Sequence, residues 1–127
     1  MMLMAEAKDV KAGDWIIFNR EPYRVKRKEI VTAGTHMHSK TKLIMQGLFS
    51  TGEKSNVYGH HDKLDLAELE FKTGQVISVS GNKCQVMDNR TYEVFDADLK
   101  EDQTVQEGQN LLFANYNGKN ILIGEAR

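Results

Sequence analysis

The amino-acid sequence predicts an all-β chain. Strand-like runs recur about every 8–12 residues, which is the spacing typical of β-sandwiches and β-barrels. Turn-forming residues separate the runs, and no apolar stripe with a period of about 3.6 residues continues for three helical turns. These observations together favour a small barrel or sandwich over a helical fold.

The individual strands are predicted from apolar runs and from alternation. The first run, 15–18, is apolar and is bounded by polar residues on both sides. In 23–31, Tyr23 and Val25 alternate with Arg24 and Lys26, so one face is expected to be buried and the other basic. The later runs are 43–45, 48–49, 57–58, 64–66, 69–71, 75–79, 83–87, 92–97, 110–116 and 121–124.

Two turn sequences predict hairpins in the second half of the chain. Asn117-Gly118 is a dipeptide suited to a two-residue primed turn, in which both central residues have φ > 0. The tripeptide 80–82, with Gly81 at its centre, separates two alternating runs. The polar stretch 98–105 is expected to be a short helical or irregular connector.

Composition excludes several classes of protein. The 127 residues carry a net charge of −1 and contain one Cys, so an internal disulfide and a zinc ribbon are excluded. No stretch approaches the roughly 20 apolar residues of a membrane span, and the expected compartment is the cytoplasm. Residues 20–54 hold eight Lys or Arg against three Glu, whereas 88–107 hold seven acids against two bases. This asymmetry can orient the molecule on a polyanion.

The segment 32–42 is predicted to be a protruding hairpin tip that contacts phosphates. Lys40 and Lys42 would neutralise backbone phosphates. The rings of His36 and His38 could stack on unpaired bases. An ordinary polar loop has the same composition, so both interpretations remain open.

Metal binding and catalysis are weaker alternatives. His36 and His38 could share an ion, and His60, His61 and Asp62 are further candidate ligands, but no closed ligand set is visible. Cys84 lies in an alternating run and is expected to be a small core residue. No nucleophile–base pair or phosphate-binding loop is found, so a non-catalytic binding protein without a cofactor or metal is expected.

Several sequence blocks resemble the archaeal and eukaryotic initiation factor 5A family, whose bacterial counterpart is elongation factor P. The resemblance extends from about Asp9 to Ile123. The order and spacing of five blocks carry it. These blocks are Lys11-Ala12-Gly13-Asp14-Trp15, Glu21-Pro22-Tyr23-Arg24-Val25, Phe49-Ser50-Thr51-Gly52-Glu53-Lys54, Gln85-Val86-Met87-Asp88 and Thr91-Tyr92-Glu93.

The resemblance implies two domains and a role in translation. It implies an SH3-like (KOW-like) barrel over 1–71 and an OB-fold over 72–127. It also implies that the protein binds the ribosome beside peptidyl-tRNA and promotes elongation or relieves stalling.

At the loop tip the sequence departs from the family. Thr35 occupies the position of the lysine that the family converts to hypusine, and Thr has no amine to receive the aminobutyl group. Met37 replaces a Gly. The flanking residues Gly34, His36, His38 and Lys40 match the family loop.

The expected RNA-contacting surface therefore lacks hypusine. Its partners are expected to be rRNA and peptidyl-tRNA, with no membrane, and the loss of the modified lysine argues against a hypusine-forming enzyme as a further partner. Three possibilities remain open: a paralogue that docks without the modified lysine, a lineage-specific factor that acts through the remaining loop cations and imidazoles, or a diverged module that binds other RNA, a protein or a metal. The expected contacts are the loop residues Gly34, His36, Met37, His38, Lys40 and Lys42 and the basic face of Arg24, Lys26, Arg27 and Lys28.

Overall fold

The chain forms two compact units, which divide between Glu68 and Leu69. The computed structural model describes residues 3–33 and 38–126, and at Ala33 and His38 it describes the main chain. The expected boundary at residue 71 lies one residue inside the strand that begins at Glu70.

The regular secondary structure of the described residues consists of eleven strands and one 3₁₀ turn. The 3₁₀ turn is Ala7–Asp9. The strands are β1 Met4–Glu6, β2 Trp15–Phe18, β3 Glu21–Ala33, β4 His38–Gly47, β5 Glu53–Gly59, β6 Lys63–Asp65, β7 Glu70–Ser80, β8 Lys83–Asp88, β9 Val94–Asp98, β10 Asn110–Tyr116 and β11 Lys119–Glu125.

The first unit is built on an antiparallel sheet in the order β2-β3-β4-β5, together with the two-stranded sheet β1-β6. A bridge between Ile16 and Leu66 joins the two sheets. Apolar residues at alternate strand positions face inward, because successive side chains of a strand point to opposite faces. Together with Ala7 and Val10, which lie in and just after the 3₁₀ turn, they form the core, whose strand residues are Ile16, Tyr23, Val25, Leu43, Met45 and Leu64.

The second unit is a closed barrel in the order β10-β11-β9-β8-β7. A T-shaped contact between Phe95 and Phe113, with ring centroids 5.6 Å apart, lies in its interior. Closure removes most of the open sheet edges that would otherwise promote aggregation. The buried residues of this core are Val76, Cys84, Val86, Ala97, Leu99, Leu111, Phe113 and Leu122.

The predicted hairpin turns are confirmed by backbone geometry. Asn117 and Gly118 have φ of 51° and 83°, as a primed turn requires. Gly81 also has a positive φ, of 61°. A third two-residue turn, at Asn19 and Arg20, joins β2 to β3 with φ of 51° and 66°.

Several segments differ from the predicted strands. Residues 48–49 lie in no strand, because β4 ends at Gly47, and the runs 69–71 and 75–79 are not separate strands, because β7 continues from Glu70 to Ser80.

Residues 92–93 were expected to begin a strand, but Tyr92 has a φ of 62° and β9 begins only at Val94. The connector expected at 98–105 begins after Asp98, and no regular helix lies between β9 and β10. None of the described residues belongs to a helix that is long and apolar enough to cross a membrane.

Candidate nucleic-acid interface

The longest feature of the first unit is the hairpin of β3 and β4, which contain 13 and 10 residues. Its last described pair is Ala33 with His38. The expected tip residues Gly34, Thr35, His36 and Met37 lie outside the described residues, as does the side chain of His38. The body of the hairpin, Glu21–Ala33 and His38–Gly47, is described below its tip.

The body of the hairpin has two faces. The inner face carries Val25, Leu43 and Met45, which belong to the core. We call the opposite face the outer face. Cross-strand partners lie on the same face of an antiparallel pair, so the pairing assigns each basic residue to one side.

Four of the predicted basic residues share the outer face. Lys40 and Lys42 alternate with the fully buried Thr41 and so lie on the face opposite to it. Their partners on β3 are Val31 and Glu29. The pairs Arg27 with Ile44 and Arg24 with Gln46 continue this face towards the base of the hairpin.

A β-bulge at Lys26 keeps Arg24 and Arg27 on one face. Val25 pairs with Met45 and Arg27 pairs with Ile44, so Lys26 is the extra residue on β3. Without the bulge, Arg24 and Arg27 would point to opposite faces, because side chains alternate along a strand. Lys26 itself is exposed at the bulge.

Lys28 lies on the inner face, away from the other predicted cations. It pairs with Leu43 of the core. Its Nζ donates a hydrogen bond of 2.8 Å to the main-chain carbonyl of Lys8. The six cations expected to form one basic face are thus divided, with Lys28 holding β3 to the 3₁₀ turn.

Lys40 and Lys42 have no ion-pair partner within residues 3–33 and 38–126. Lys40 is exposed and Lys42 is partly buried. Glu29, the acid nearest to them by register, is instead 3.6 Å from Nε of Arg27. The two lysine charges are therefore available to an external anion.

The inner face of the hairpin is also held by His60. Its Nδ1 and the hydroxyl of Thr41 lie 2.7 Å apart and share a hydrogen bond. The His60 carbonyl accepts a 3.0 Å hydrogen bond from the Lys8 amide. Lys28, Lys8, His60 and Thr41 form a continuous set of contacts, which we call the brace.

The side chains of His60 and His61 each form a hydrogen bond within the protein. His60 contacts Thr41, and Nδ1 of His61 lies 3.2 Å from Oε2 of Glu6. This hydrogen bond is the main cause that lowers the pKa of Glu6. No group of three potential metal ligands occurs in the described part of the chain.

Cys84 is a buried residue of the second unit, as its alternating run predicted. Burial raises the pKa of its thiol, and the nearby Asp98 and Asp96 raise it further. A thiol with a raised pKa is a poor nucleophile at neutral pH, which fits a packing role.

Comparison with known proteins identifies the family. The chain is 32% identical over 96 residues to translation initiation factor 5A of Korarchaeum cryptofilum, a match that covers 76% of this chain and 72% of that protein. It is 31% identical to the factor of Metallosphaera sedula, with 76% and 74% covered. The chain belongs to the translation initiation factor 5A family.

Further relatives extend the match over most of this initiation factor 5A chain. The protein of Methanopyrus kandleri is 28% identical, over 94% of this chain and 90% of that protein. The solved structure of eukaryotic translation initiation factor 5A from Methanococcus jannaschii has a TM-score of 0.74 at 19% identity, covering 97% and 93% of the two chains. No family model matches the chain.

These findings confirm the family and the all-β fold of an SH3-like barrel followed by an OB-fold. They also support a role in translation and a partner in the translation machinery in general terms, since the relatives are translation factors.

Sequence reasoning missed the brace. Thr41 lies in an alternating polar stretch, so its burial could not be recognised from residue type. The only available signal was its position between Lys40 and Lys42 on a strand, because alternation places the middle residue on the opposite face. The contacts of Lys8 and His60 depend on tertiary structure.

Proposed function

We propose that this initiation factor 5A family member docks on ribosomal RNA and peptidyl-tRNA through the outer face of the β3–β4 hairpin, without hypusine. The observation that carries the proposal is the pair Lys40 and Lys42, which lie on one face and form no ion pair with any acid in the described part of the chain, since Glu29, opposite Lys42, pairs with Arg27. Docking positions the tRNA and involves no covalent chemistry.

The arrangement of charge supports RNA as the ligand. Arg24 and Arg27 continue the outer face below the two lysines, so cations follow one side of the hairpin over several residues. Lysines on such a surface neutralise phosphates and release counterions, which makes binding strongly dependent on salt. The strands of the hairpin are joined by main-chain hydrogen bonds and braced at Thr41 and Lys28, so the cations are held on a stiff support.

Thr35 excludes hypusine formation at the position where the family carries its modified lysine. In place of the modified lysine of the family it offers a hydroxyl on a short side chain, which has no amine for aminobutyl transfer. The hairpin body would then supply the affinity, and no long cationic side chain would reach into a distant active site.

Co-sedimentation with purified ribosomes tests the proposal. The unmodified recombinant chain is expected to pellet with ribosomes at low salt. The double variant Lys40→Glu/Lys42→Glu is expected to bind at least tenfold more weakly, because each substitution replaces an attractive contact by a repulsive one.

A charge-matched control separates the surface from net charge. Lys11→Glu/Lys63→Glu changes the charge by the same amount at exposed lysines outside the four-stranded sheet. It is expected to bind like the wild type. Equal losses in both double variants would contradict docking through the outer face, and binding to free RNA but not to ribosomes would favour a non-ribosomal role.

Intact-mass measurement of the protein from its native source tests the hypusine-free state. The intact mass is expected to equal that of the unmodified sequence, with no group added at Thr35. An added aminobutyl-derived group, located by fragment masses at Lys40 or Lys42, would contradict the proposal.

A further inference from the structure

The outer surface of β8 and β9 carries an ordered set of cross-strand pairs. Met87 lies opposite Val94, Gln85 opposite Asp96, and Lys83 opposite Asp98. The intervening pairs, such as Cys84 with Ala97, face the barrel core and are buried. We call the three outward pairs the ladder face.

The apolar end of the ladder face is exposed. Val94 retains 53% of its accessible surface, and Met87 beside it is only partly buried. Tyr92, two residues before Val94, is 72% exposed. Isolated exposed apolar residues are common on proteins, whereas several within one short segment, as at Tyr92 and Val94, favour an interaction site.

Tyr92 is held in an unfavourable backbone conformation. Its φ of 62° lies in the left-handed region, which a bulky residue rarely occupies. The turn around it is fixed by the Asp88 carboxylate, whose Oδ1 accepts hydrogen bonds of 2.7 Å and 3.1 Å from the amides of Arg90 and Thr91. The Tyr92 amide donates to the Asp88 carbonyl at 2.9 Å. A rigid turn thus presents an aromatic side chain to solvent at the cost of backbone strain, which is typical of functional positions.

The other end of the ladder face is concave and carries Asp96 and Asp98 together with Lys83. A cavity of about 380 Å³ lies along it, lined by Ser78, Ser80, Lys83, Cys84, Gln85 and Asp96. Lys83 is 3.8 Å from Asp98, so its charge is partly compensated. Asp96 makes no ion pair with any described residue.

We propose that the ladder face is a docking surface for a basic segment of a protein partner, with an apolar anchor seated on Tyr92 and Val94 and a Lys or Arg directed to Asp96 and Asp98. Charge complementarity selects this occupant. The charged residues of the ladder face are Asp96, Asp98 and Lys83, and Lys83 lies 3.8 Å from Asp98, so the Asp96 carboxylate is left without an ion pair among the described residues. Opposite charges steer the encounter and fix the register of a bound segment.

The same charges disfavour two other occupants. The outer face of the corresponding strands binds oligonucleotides in many OB-folds, but carboxylates at Asp96 and Asp98 repel phosphates. A second copy of this chain docked through the same surface would place two ladder faces, each carrying Asp96 and Asp98, against each other. A basic protein segment is not repelled by these carboxylates. The ladder face shares no residue with the hairpin that is proposed to bind RNA.

A titration of the isotope-labelled full chain, followed by amide NMR, tests the inference. The probe is a 12-residue peptide of alternating Arg and Leu with blocked ends. Its controls are the same peptide with Glu for Arg, the same peptide with Ser for Leu, and a 12-nucleotide oligouridylate. The Arg-Leu peptide is expected to shift amides within 83–98 and to bind at least fivefold more tightly than either control peptide.

Variants identify the contacts. Tyr92→Asn removes the ring with a residue that tolerates the left-handed conformation, and Asp96→Asn removes a charge; each is expected to weaken peptide binding about fivefold or more. Glu107→Gln, an exposed acid outside the ladder face, should bind like the wild type. The inference is overturned if the peptide shifts only amides outside 83–98, or if the Arg-Ser peptide binds as tightly as the Arg-Leu peptide. It is also overturned if oligouridylate shifts the amides of 83–98, or if these amides shift with protein concentration alone.

Discussion

At Gly74 the main chain of β7 runs so close to β8 that a side chain has no room. A Cβ placed there would lie 2.6 Å from the Met87 carbonyl oxygen and would overlap the Cγ1 atom of Val86. Val86 is fully buried in the barrel core, so it cannot move aside freely. Gly74 therefore allows β7 and β8 to pair at this point.

Gly74→Ala is expected to lower the free energy of unfolding by roughly 2 kcal/mol or more, because the added methyl group forces the strands or Val86 to shift. Gly124→Ala is the matched control in β11. A Cβ there would have no heavy atom within 4 Å, so its effect is expected to stay within about 1 kcal/mol of zero. Chemical denaturation of both variants measures the difference, and equal losses would contradict the close approach.

Asp88 links stability to pH at the base of the Tyr92 turn. Hydrogen bonds from the amides of Arg90 and Thr91 lower the pKa of this carboxyl below its usual value of 3.8. A carboxyl whose folded-state pKa is lowered contributes stability above its unfolded-state pKa, and the contribution is lost as the pH falls through the folded-state pKa.

Thermal unfolding of Asp88→Asn is therefore expected to depend less on pH below about 4 than unfolding of the wild type. An Asn can still accept the two amide hydrogen bonds, so the comparison isolates the charge. Asp102→Asn, at an exposed loop residue, is the control and should retain the wild-type pH profile. Identical profiles for all three proteins would show that Asp88 does not carry the linkage.

At the scale of the element, the β3–β4 hairpin separates support from binding. Lys28 and Thr41 lie on its inner face and are joined to Lys8 and His60. Lys40 and Lys42 lie on its outer face. The cation that stabilises the fold, Lys28, and the cations proposed to bind RNA, Lys40 and Lys42, thus lie on opposite faces of the same two strands.

Single substitutions distinguish these two roles. Lys28→Met is expected to lower the free energy of unfolding by roughly 0.5 kcal/mol, because an exposed hydrogen bond to the Lys8 carbonyl is lost. Lys40→Met is expected to leave stability almost unchanged but to weaken ribosome binding. Denaturation and co-sedimentation of both variants check the prediction, which a stronger binding loss for Lys28→Met than for Lys40→Met would contradict.

The sequence predicted the strands of this hairpin better than its faces. Alternation of Tyr23 and Val25 located β3, and the apolar run 43–45 located β4. The bulge at Lys26 carries no signature in residue type, and it decides which cations share a face. For the same reason the inner position of Lys28 could not be deduced from the sequence.

At the scale of the whole molecule, the change in charge along the chain reflects two units. The basic stretch falls mostly on the hairpin of the first unit, and the acidic stretch falls on β8–β9 and the following loop of the second. The sequence shows the change of charge, and the division itself falls between Glu68 and Leu69, ahead of β7. Sequence reasoning missed β1, because a three-residue strand at the start of the chain has no alternation to detect. The residues of the loop tip remain a prediction.

The salt dependence of ribosome binding tests the central claim most directly. For the wild type, the logarithm of the association constant is expected to fall linearly with the logarithm of salt concentration, and the slope should become shallower by roughly one to two in Lys40→Glu/Lys42→Glu, since each lysine neutralises about one phosphate. The control Lys11→Glu/Lys63→Glu should keep the wild-type slope. A flat salt response of the wild type, or the same slope in all three proteins, would contradict docking on RNA through the outer face of the hairpin.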